Sequence, residues 1–373
     1  MDKVILVTTN IAPYRLRWAE ELSKYYQVSI YYSKEKEKDY WDNFLKNSSN
    51  KCNIIKMNNK KDDDSDPLCF DVIDIIKENK DSFIIFDGYG PKTNLLGLTY
   101  CKLKGIDNFV NVDGYPTERK KSIIKEIVKR FVISTLCKNF FCSGKAAKDY
   151  LISYGANKEK VFIHNFSSIT KDSIINKPLE KEEKNKIRKQ LGIDYEGKIV
   201  LGVGRFIPLK RFEDLINAVK KCKKECRLYL LGGKPTNSYL ELIKDTDRIH
   251  FIDSVPPEEV DKYYKMADLF VLPSETDVWG LVINEAMANG LPVIASDSVV
   301  GAKSLIDGNG YIFKTYDVDE LSKDIELCLD ESSFNKMALR SLEIIKDYTI
   351  EGMVVKQDSV INNCLIRRQD NER

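Results

Sequence analysis

Two successive arrays of alternating β-strands and amphipathic helices predict an α/β protein of two doubly wound, Rossmann-like domains facing one another across a cleft. Three observations carry this expectation. Short β-branched or aromatic runs recur between helical stretches. The pattern breaks at a charged, polar stretch near the middle of the chain and then restarts. The 373 residues are too many for one small core and sufficient for two.

The first array predicts strands at Val4–Thr8, Gln27–Tyr32, Asn53–Met57, Phe83–Phe86, Phe109–Val112 and Asn139–Cys142, with helices such as Leu16–Tyr25, Val72–Asn79 and Ser122–Ile133 between them. The second predicts Lys198–Gly202, Arg227–Leu231, Ile249–Ile252, Leu269–Leu272, Val293–Ser296 and Tyr311–Phe313. The expected domains are residues 1–170 and 198–349. Residues 171–197, with Asn-Lys-Pro, a Lys/Glu-rich run and one short helical stretch near Asn185–Leu191, read as the linker. The charge runs Lys34–Asp39 and Lys60–Asp66 read as solvated loop surface.

Composition excludes several classes. Lys plus Arg number 59 against 57 for Asp plus Glu, so net charge gives no reason to expect a nucleic-acid partner. The apolar run at the N-terminus is short enough for a first strand and too short for a signal peptide. No stretch reaches the ~18 apolar residues of a membrane span, so the expected location is cytoplasmic. Nine cysteines, an odd number without a Cys-x-x-Cys pair, read as reduced thiols. Cys222 and Cys226 read as core filler, since neither of the two histidines, His164 and His250, lies near them in sequence.

The richest segment runs from Pro273 to Asp297. A strand ends at Leu272, a loop follows, a helix begins near Gly280, and Gly290 closes that helix. Gly280 lacks a Cβ, so a phosphate could approach the N–H groups of Gly280, Leu281 and Val282. Asp277 precedes the helix and Glu285 lies one to two turns inside it, so two carboxylates flank a phosphate-binding helix end. A nucleotide sugar, with ribose hydroxyls, a pyrophosphate and sugar hydroxyls, has a matching layout. An ordinary strand-to-helix connection with a capping Asp and a solvated Glu also fits, and spacing alone does not separate the two. Gly204-Arg205 and Lys210, in the loop after the strand Lys198–Gly202, bring two cations suited to a diphosphate leaving group; solvated surface cations are the other reading.

These residues give the chain a specific resemblance to the retaining family-4 glycosyltransferases of GT-B fold (glycosyl transferases group 1). Gly204-Arg205 and Lys210 match the family's Gly-Arg-x-x-x-x-Lys. Asp277, Gly280, Leu281, Glu285 and Ala286 match its Glu-x-x-Gly-Leu-x-x-x-Glu-Ala, with Asp277 in place of the first Glu. That replacement shortens one side chain by a methylene and bears on donor-sugar preference. Arg211 replaces a glycine that often follows the lysine. The resemblance runs from about Lys198 to Tyr348 and more loosely over the first half.

The resemblance implies a nucleotide diphosphate-sugar donor held by the C-terminal domain and an acceptor on the N-terminal side. Glu285 would bind the ribose, Asp277 would sit by the sugar, and Arg205 and Lys210 would hold the diphosphate as the glycosidic bond breaks. It implies front-face transfer without a protein nucleophile, and no Ser-His or Cys-His arrangement is evident in the sequence. No metal-ligand cluster such as Asp-x-Asp stands out at a plausible strand end, so neither a metal nor a cofactor is expected. Tyr14, Arg15 and Asp113 are cleft candidates, for the acceptor or, for Tyr14 and Arg15, the donor phosphate; loop packing is the other reading. The last helix, 350–366, is expected to return to the N-terminal domain.

The acceptor is expected to be a glycan or lipid-linked saccharide, in surface polysaccharide or glycolipid synthesis. Residues 118–138 alternate cations with apolar residues at helical spacing. Ordinary domain core is the reading adopted for their apolar face; the alternative is peripheral contact with the inner face of a membrane. Two other functions share the sequence features: a nucleotide-sugar epimerase on the same fold, and a non-catalytic nucleotide-sugar-binding protein.

Overall fold

A strand inside a parallel sheet is covered on both faces, and the strands here are apolar enough for it: Val4, Ile5, Leu6 and Val7 are all buried in β1 (Lys3–Thr8). The computed structural model describes residues 2–34, 51–58, 65–115 and 122–372, divided into two units. The first takes the described residues up to Tyr115, those from Ser122 to Ser168, and those from Thr349 onward; the second runs from Ile169 to Tyr348. The expected pair of Rossmann-like α/β domains is present.

In the first unit β1 is followed by β2 (Gln27–Tyr32), β3 (Asn53–Lys56), β4 (Phe83–Asp87), β5 (Asn108–Val112), β6 (Asn139–Cys142) and β7 (Val161–Ile163). All pair in parallel, in the order β3-β2-β1-β4-β5-β6-β7. The short strand β7 was not among the expected six. Phe83, Phe109 and Phe141 stack across neighbouring strands at 4.5 and 4.9 Å. The last helix, Ile350–Glu372, packs on the helix Pro13–Leu22. Trp18 Nε1 donates to Gln357 Oε1 at 2.5 Å and the Tyr26 hydroxyl to Asp358 at 2.7 Å.

The second unit holds β8 (Lys198–Val203), β9 (Cys226–Leu231), β10 (Ile249–Ile252), β11 (Leu269–Leu272), β12 (Val293–Ser296) and β13 (Gly310–Phe313). They too are parallel, in the order β10-β9-β8-β11-β12-β13. In each sheet the strand order therefore reverses once, between β1 and β4 and between β8 and β11. Loops leaving neighbouring strands toward opposite sides open a crevice at such a point.

Two expectations change. Residues 171–197, read as a linker, lie in the second unit, where the helix Lys181–Gln190 buries Lys184 and Arg188 against Asp268 at 2.9 and 2.8 Å. Asp268 also accepts from the backbone N–H of Ile199 at 2.8 Å. Burial works against ionising this carboxyl, but Lys184 and Arg188 hold it below the usual carboxylate range. The apolar face within 118–138 is not core either. The helix Ile123–Phe131 has no buried residue, and only Val132 and Ile133 of the following π-turn enter the interior. Most of the two charge runs, residues 35–39 and 60–64, and residues 118–121 of the basic segment lie outside the described residues.

Asp268→Asn would leave two buried cations short of their counter-charge. It is expected to cost about 3–5 kcal/mol and to lower the thermal midpoint of the second unit by roughly 10 °C. A calorimetric scan showing no shift would refute this role for Asp268.

Candidate functional site

The β8/β11 crevice of the second unit is built from backbone constraints first. Gly204 follows β8, and a Cβ on Gly232, after β9, would lie 1.8 Å from the Gly204 carbonyl oxygen. The two loops thus pack backbone to backbone, a constraint missed in the sequence although the Gly232-Gly233 pair after a strand signals it. Lys210 closes a short 3-10 turn, Pro208–Lys210, and Glu275 N donates to Leu209 O at 2.9 Å, tying this loop to the one after β11. Arg211 has φ +52°, where glycine would sit without strain. Its guanidinium bonds Asp214 twice, at 2.7 and 2.9 Å, and lies over the Tyr316 ring at 4.8 Å. These contacts offset a backbone cost of about 1–2 kcal/mol.

Lys210 Nζ lies 2.6 Å from Asp277 Oδ2. The Asp277 backbone is fixed by a parallel bridge to Val299, and its carbonyl accepts from Val300 N at 3.1 Å. Trp279 is buried, donates from its indole to Asn284 at 3.0 Å, and packs so closely that a Cβ on Gly301 would lie 2.2 Å from its carbonyl oxygen. Gly280 has φ +85°, and a Cβ there would lie 2.9–3.2 Å from Val299, Leu272 and Ile283. The helix Leu281–Ala288 then starts without a side-chain cap. Its half-buried first residues, Leu281 and Val282, end at the same crevice as Lys210 and Asp277.

Glu285, one turn into this helix, accepts from the Tyr264 hydroxyl at 2.8 Å. Burial, then the Glu285 charge, push the Tyr264 phenol far above its ordinary range, so it stays a donor and orients the carboxylate. Tyr264 lies 21 residues from Glu285 and gives no signal in the sequence. Arg205 is exposed and makes no ion pair among the described residues. The structure thus places Gly204, Arg205 and Lys210 on the loop after β8, and Asp277, Gly280, Leu281, Val282 and Glu285 on the loop and helix after β11, with Lys210–Asp277 and Glu275–Leu209 joining the two. Two cations, an uncapped helix start and two carboxylates, one paired with Lys210 and one bonded to Tyr264, are groups that can meet a diphosphate and hydroxyls.

In the first unit, Tyr14, Arg15 and Asp113 also come together, but Arg15 does not present its charge to solvent. It is fully buried, and bonds Asp113 at 2.7 Å through Nη2 and Asp87 through Nε at 3.2 Å and through Nη2. Thr8 donates to Asp87 at 3.1 Å and Tyr14 to Asp113 at 3.3 Å. Burial raises the Asp113 carboxyl, Arg15 draws it down and Asp87 raises it again, leaving it pushed up to about 6. Arg15 Nη1, Asp113 Oδ1, the Asn111 amide, Ser143 Oγ and His164 Nε2 are buried without a hydrogen-bond partner among the described residues. Asp87, at the end of β4, completes this cluster. His164 is fully buried, and burial drives its ring down to about 3, in keeping with a structural role. His250 stacks on Tyr229 at 4.7 Å.

Asp113 holds its proton more tightly folded than unfolded, so raising the pH from about 4 to about 6 removes stability through this group. Asp113→Asn has no such titration. Its melting temperature relative to the parent is expected to climb across that window and level off above it. A difference flat from about pH 4 to 7 would contradict the raised carboxyl.

Residues 183–341 match the family model described as Glycosyl transferases group 1. D-inositol 3-phosphate glycosyltransferase of Corynebacterium diphtheriae is 28% identical over 192 residues, 48% of this chain and 45% of that protein. N-acetyl-alpha-D-glucosaminyl L-malate synthase of Bacillus anthracis is 29% identical over 200 residues, 51% of this chain and 52% of that protein. The chain spans about half the length of the curated relatives it matches. Among solved structures, Anabaena HepE in complex with UDP-glucose superposes with a TM-score of 0.76 at 16% identity, covering 97% of this chain and 100% of that one. A glycosyltransferase from Rickettsia africae superposes with a TM-score of 0.75 at 16% identity, covering 98% and 99%. At that identity the likeness is one of fold, the two-domain GT-B architecture. The similarity to that family lies in residues 183–341, less than half of the chain.

Proposed function

We propose that the chain is a glycosyltransferase moving a sugar from a nucleotide diphosphate-sugar to a glycan or lipid-linked saccharide, with retention, in surface polysaccharide or glycolipid synthesis at the cytoplasmic side. The observation that carries this reading is the single crevice at the β8/β11 reversal. There Lys210 pairs with Asp277, Arg205 lies on the same loop as Lys210, and the uncapped helix after Asp277 carries Glu285. The family match over these residues, and the UDP-glucose bound by the similarly folded Anabaena protein, point the same way.

In this reading Glu285, oriented by Tyr264, accepts from the ribose hydroxyls. Arg205 and the N–H groups of Gly280, Leu281 and Val282 meet the diphosphate. Lys210, paired with Asp277 in the structure, is shared with the diphosphate when donor binds. As the bond from the anomeric carbon to the diphosphate oxygen breaks, negative charge grows on that oxygen and both cations stabilise it. The acceptor hydroxyl attacks from the same face and its proton passes to the leaving oxygen. Asp277 holds a sugar hydroxyl. Tyr14 and Asp113 belong to the acceptor side, with Arg15 fixing Asp113 in place. The positive charge comes from side chains and not from a metal, so turnover is expected to survive a chelator.

Thermal-shift binding against UDP-, GDP-, ADP- and TDP-sugars tests the donor site. One nucleotide family should stabilise the protein, and Glu285→Ala should abolish the shift. With that donor, Arg205→Ala and Lys210→Ala should each lower kcat roughly a hundredfold or more. A folded protein that no nucleotide sugar stabilises would overturn the reading. An altered donor sugar recovered without transfer would point to an epimerase instead.

A further inference from the structure

The helix Ile123–Phe131 carries its amphipathicity inside out. At about 100° per residue, Ile123, Ile124, Ile127, Val128 and Phe131 share one side, and all five are between 53% and 78% exposed. Polar residues make the contacts with the protein. Glu126 accepts from the Tyr154 hydroxyl. Lys129 pairs with Glu126 at 3.0 Å and lies over the rings of Tyr150 and Tyr154 at 5.7 and 5.0 Å. Arg130 donates to the Ser153 carbonyl at 3.3 Å. Five large apolar side chains on nine residues form a contiguous patch of the kind that marks an interaction surface.

We propose that this face docks the first unit on an anionic lipid surface, the five apolar side chains entering the acyl boundary and the neighbouring cations meeting the headgroups. Charge identifies the partner. Lys125 and Arg130 are exposed on the helix. The chain as a whole carries only +2, so this is a local concentration.

Just past the end of the helix, the π-turn lines a cavity of about 420 Å³. Lys102, Lys138 and Lys160 also line it, with Asp107 paired to Lys138. Exposed Leu103 adjoins Lys102. These lysines, one of them paired, add to the positive charge that follows the helix.

Size argues against a protein partner. Nine residues make a helix of about 13 Å, and its five apolar side chains fall well short of the roughly 20–30 residues a side of a stable protein interface. An interfacial helix needs only an apolar stripe and flanking cations. No helix among the described residues is long and apolar enough to cross a membrane, so the contact is peripheral. This inference concerns the first unit alone and stands whether or not the second transfers a sugar.

Co-sedimentation of the full chain with vesicles tests it, comparing pure phosphatidylcholine with phosphatidylcholine containing phosphatidylglycerol. Binding is expected to the anionic vesicles and to weaken with salt. Ile124→Glu with Ile127→Glu should reduce it at least about tenfold without lowering the melting temperature. The neutral pair Ile124→Ser with Ile127→Ser should also reduce it, which separates lost burial from charge repulsion. Failure to bind phosphatidylglycerol vesicles, or binding unchanged by both pairs, would overturn the proposal. So would self-association in light scattering that the same substitutions abolish, since the face would then be a protein interface.

Discussion

The reversal of strand order between β8 and β11 is the constraint on which the second unit's site depends. Strands to one side of this line are numbered outward from β8 and those to the other from β11, so the connections leave toward opposite edges. The crevice between them cannot be filled by a crossover helix. It is bridged instead by two contacts, the Glu275–Leu209 backbone bond and the Lys210–Asp277 ion pair. The first fixes the distance between the loops. The second holds a cation beside a carboxylate in partly buried surroundings, where a diphosphate can compete for the lysine.

Close backbone approach supplies the precision. Gly232 lets the loop after β9 lie against Gly204, and Gly301 lets the chain after β12 pass against Trp279. Trp279 in turn fills the space under the turn that presents Asp277. These residues touch no reacting group in the proposed function, yet each sets where one of the charged groups stands. Arg211 reaches the same backbone conformation as a glycine by another route, with Asp214 and Tyr316 holding its side chain. A side chain that would ordinarily be strained is thereby made part of the start of the helix Phe212–Lys221.

Legibility in the sequence follows the range of the interaction. Strands such as Gln27–Tyr32 and Ile249–Ile252 were readable to the residue because their β-branched and aromatic runs are bounded by turn signals. The three-residue β7 was not, since a run so short has no period. The group around Asp277 and Glu285 was readable because one loop and one helix carry it. Arg15 was not: a cation after a strand looks the same whether it faces solvent or two carboxylates 72 and 98 residues away. The helix Ile123–Phe131 shows the limit of periodicity, which divides a helix into two faces without saying which one turns inward.

The C-terminal helix shows how a long-range contact can decide chemistry that local sequence leaves open. The Trp18 indole can only donate, so the Gln357 atom it meets is the carbonyl oxygen, and the Gln357 amide nitrogen must donate to His164 Nδ1 at 2.7 Å. His164 Nδ1 is therefore an acceptor, the ring is neutral, and its proton sits on Nε2. Burial disfavours the charged ring, and nearby Arg15 pushes in the same direction. A protonated His164 would meet the Gln357 N–H donor to donor and break the chain of bonds from Trp18. Docking of the helix Ile350–Glu372 on the first unit and the neutrality of His164 are thus one condition, met by residues 193 and 339 positions apart.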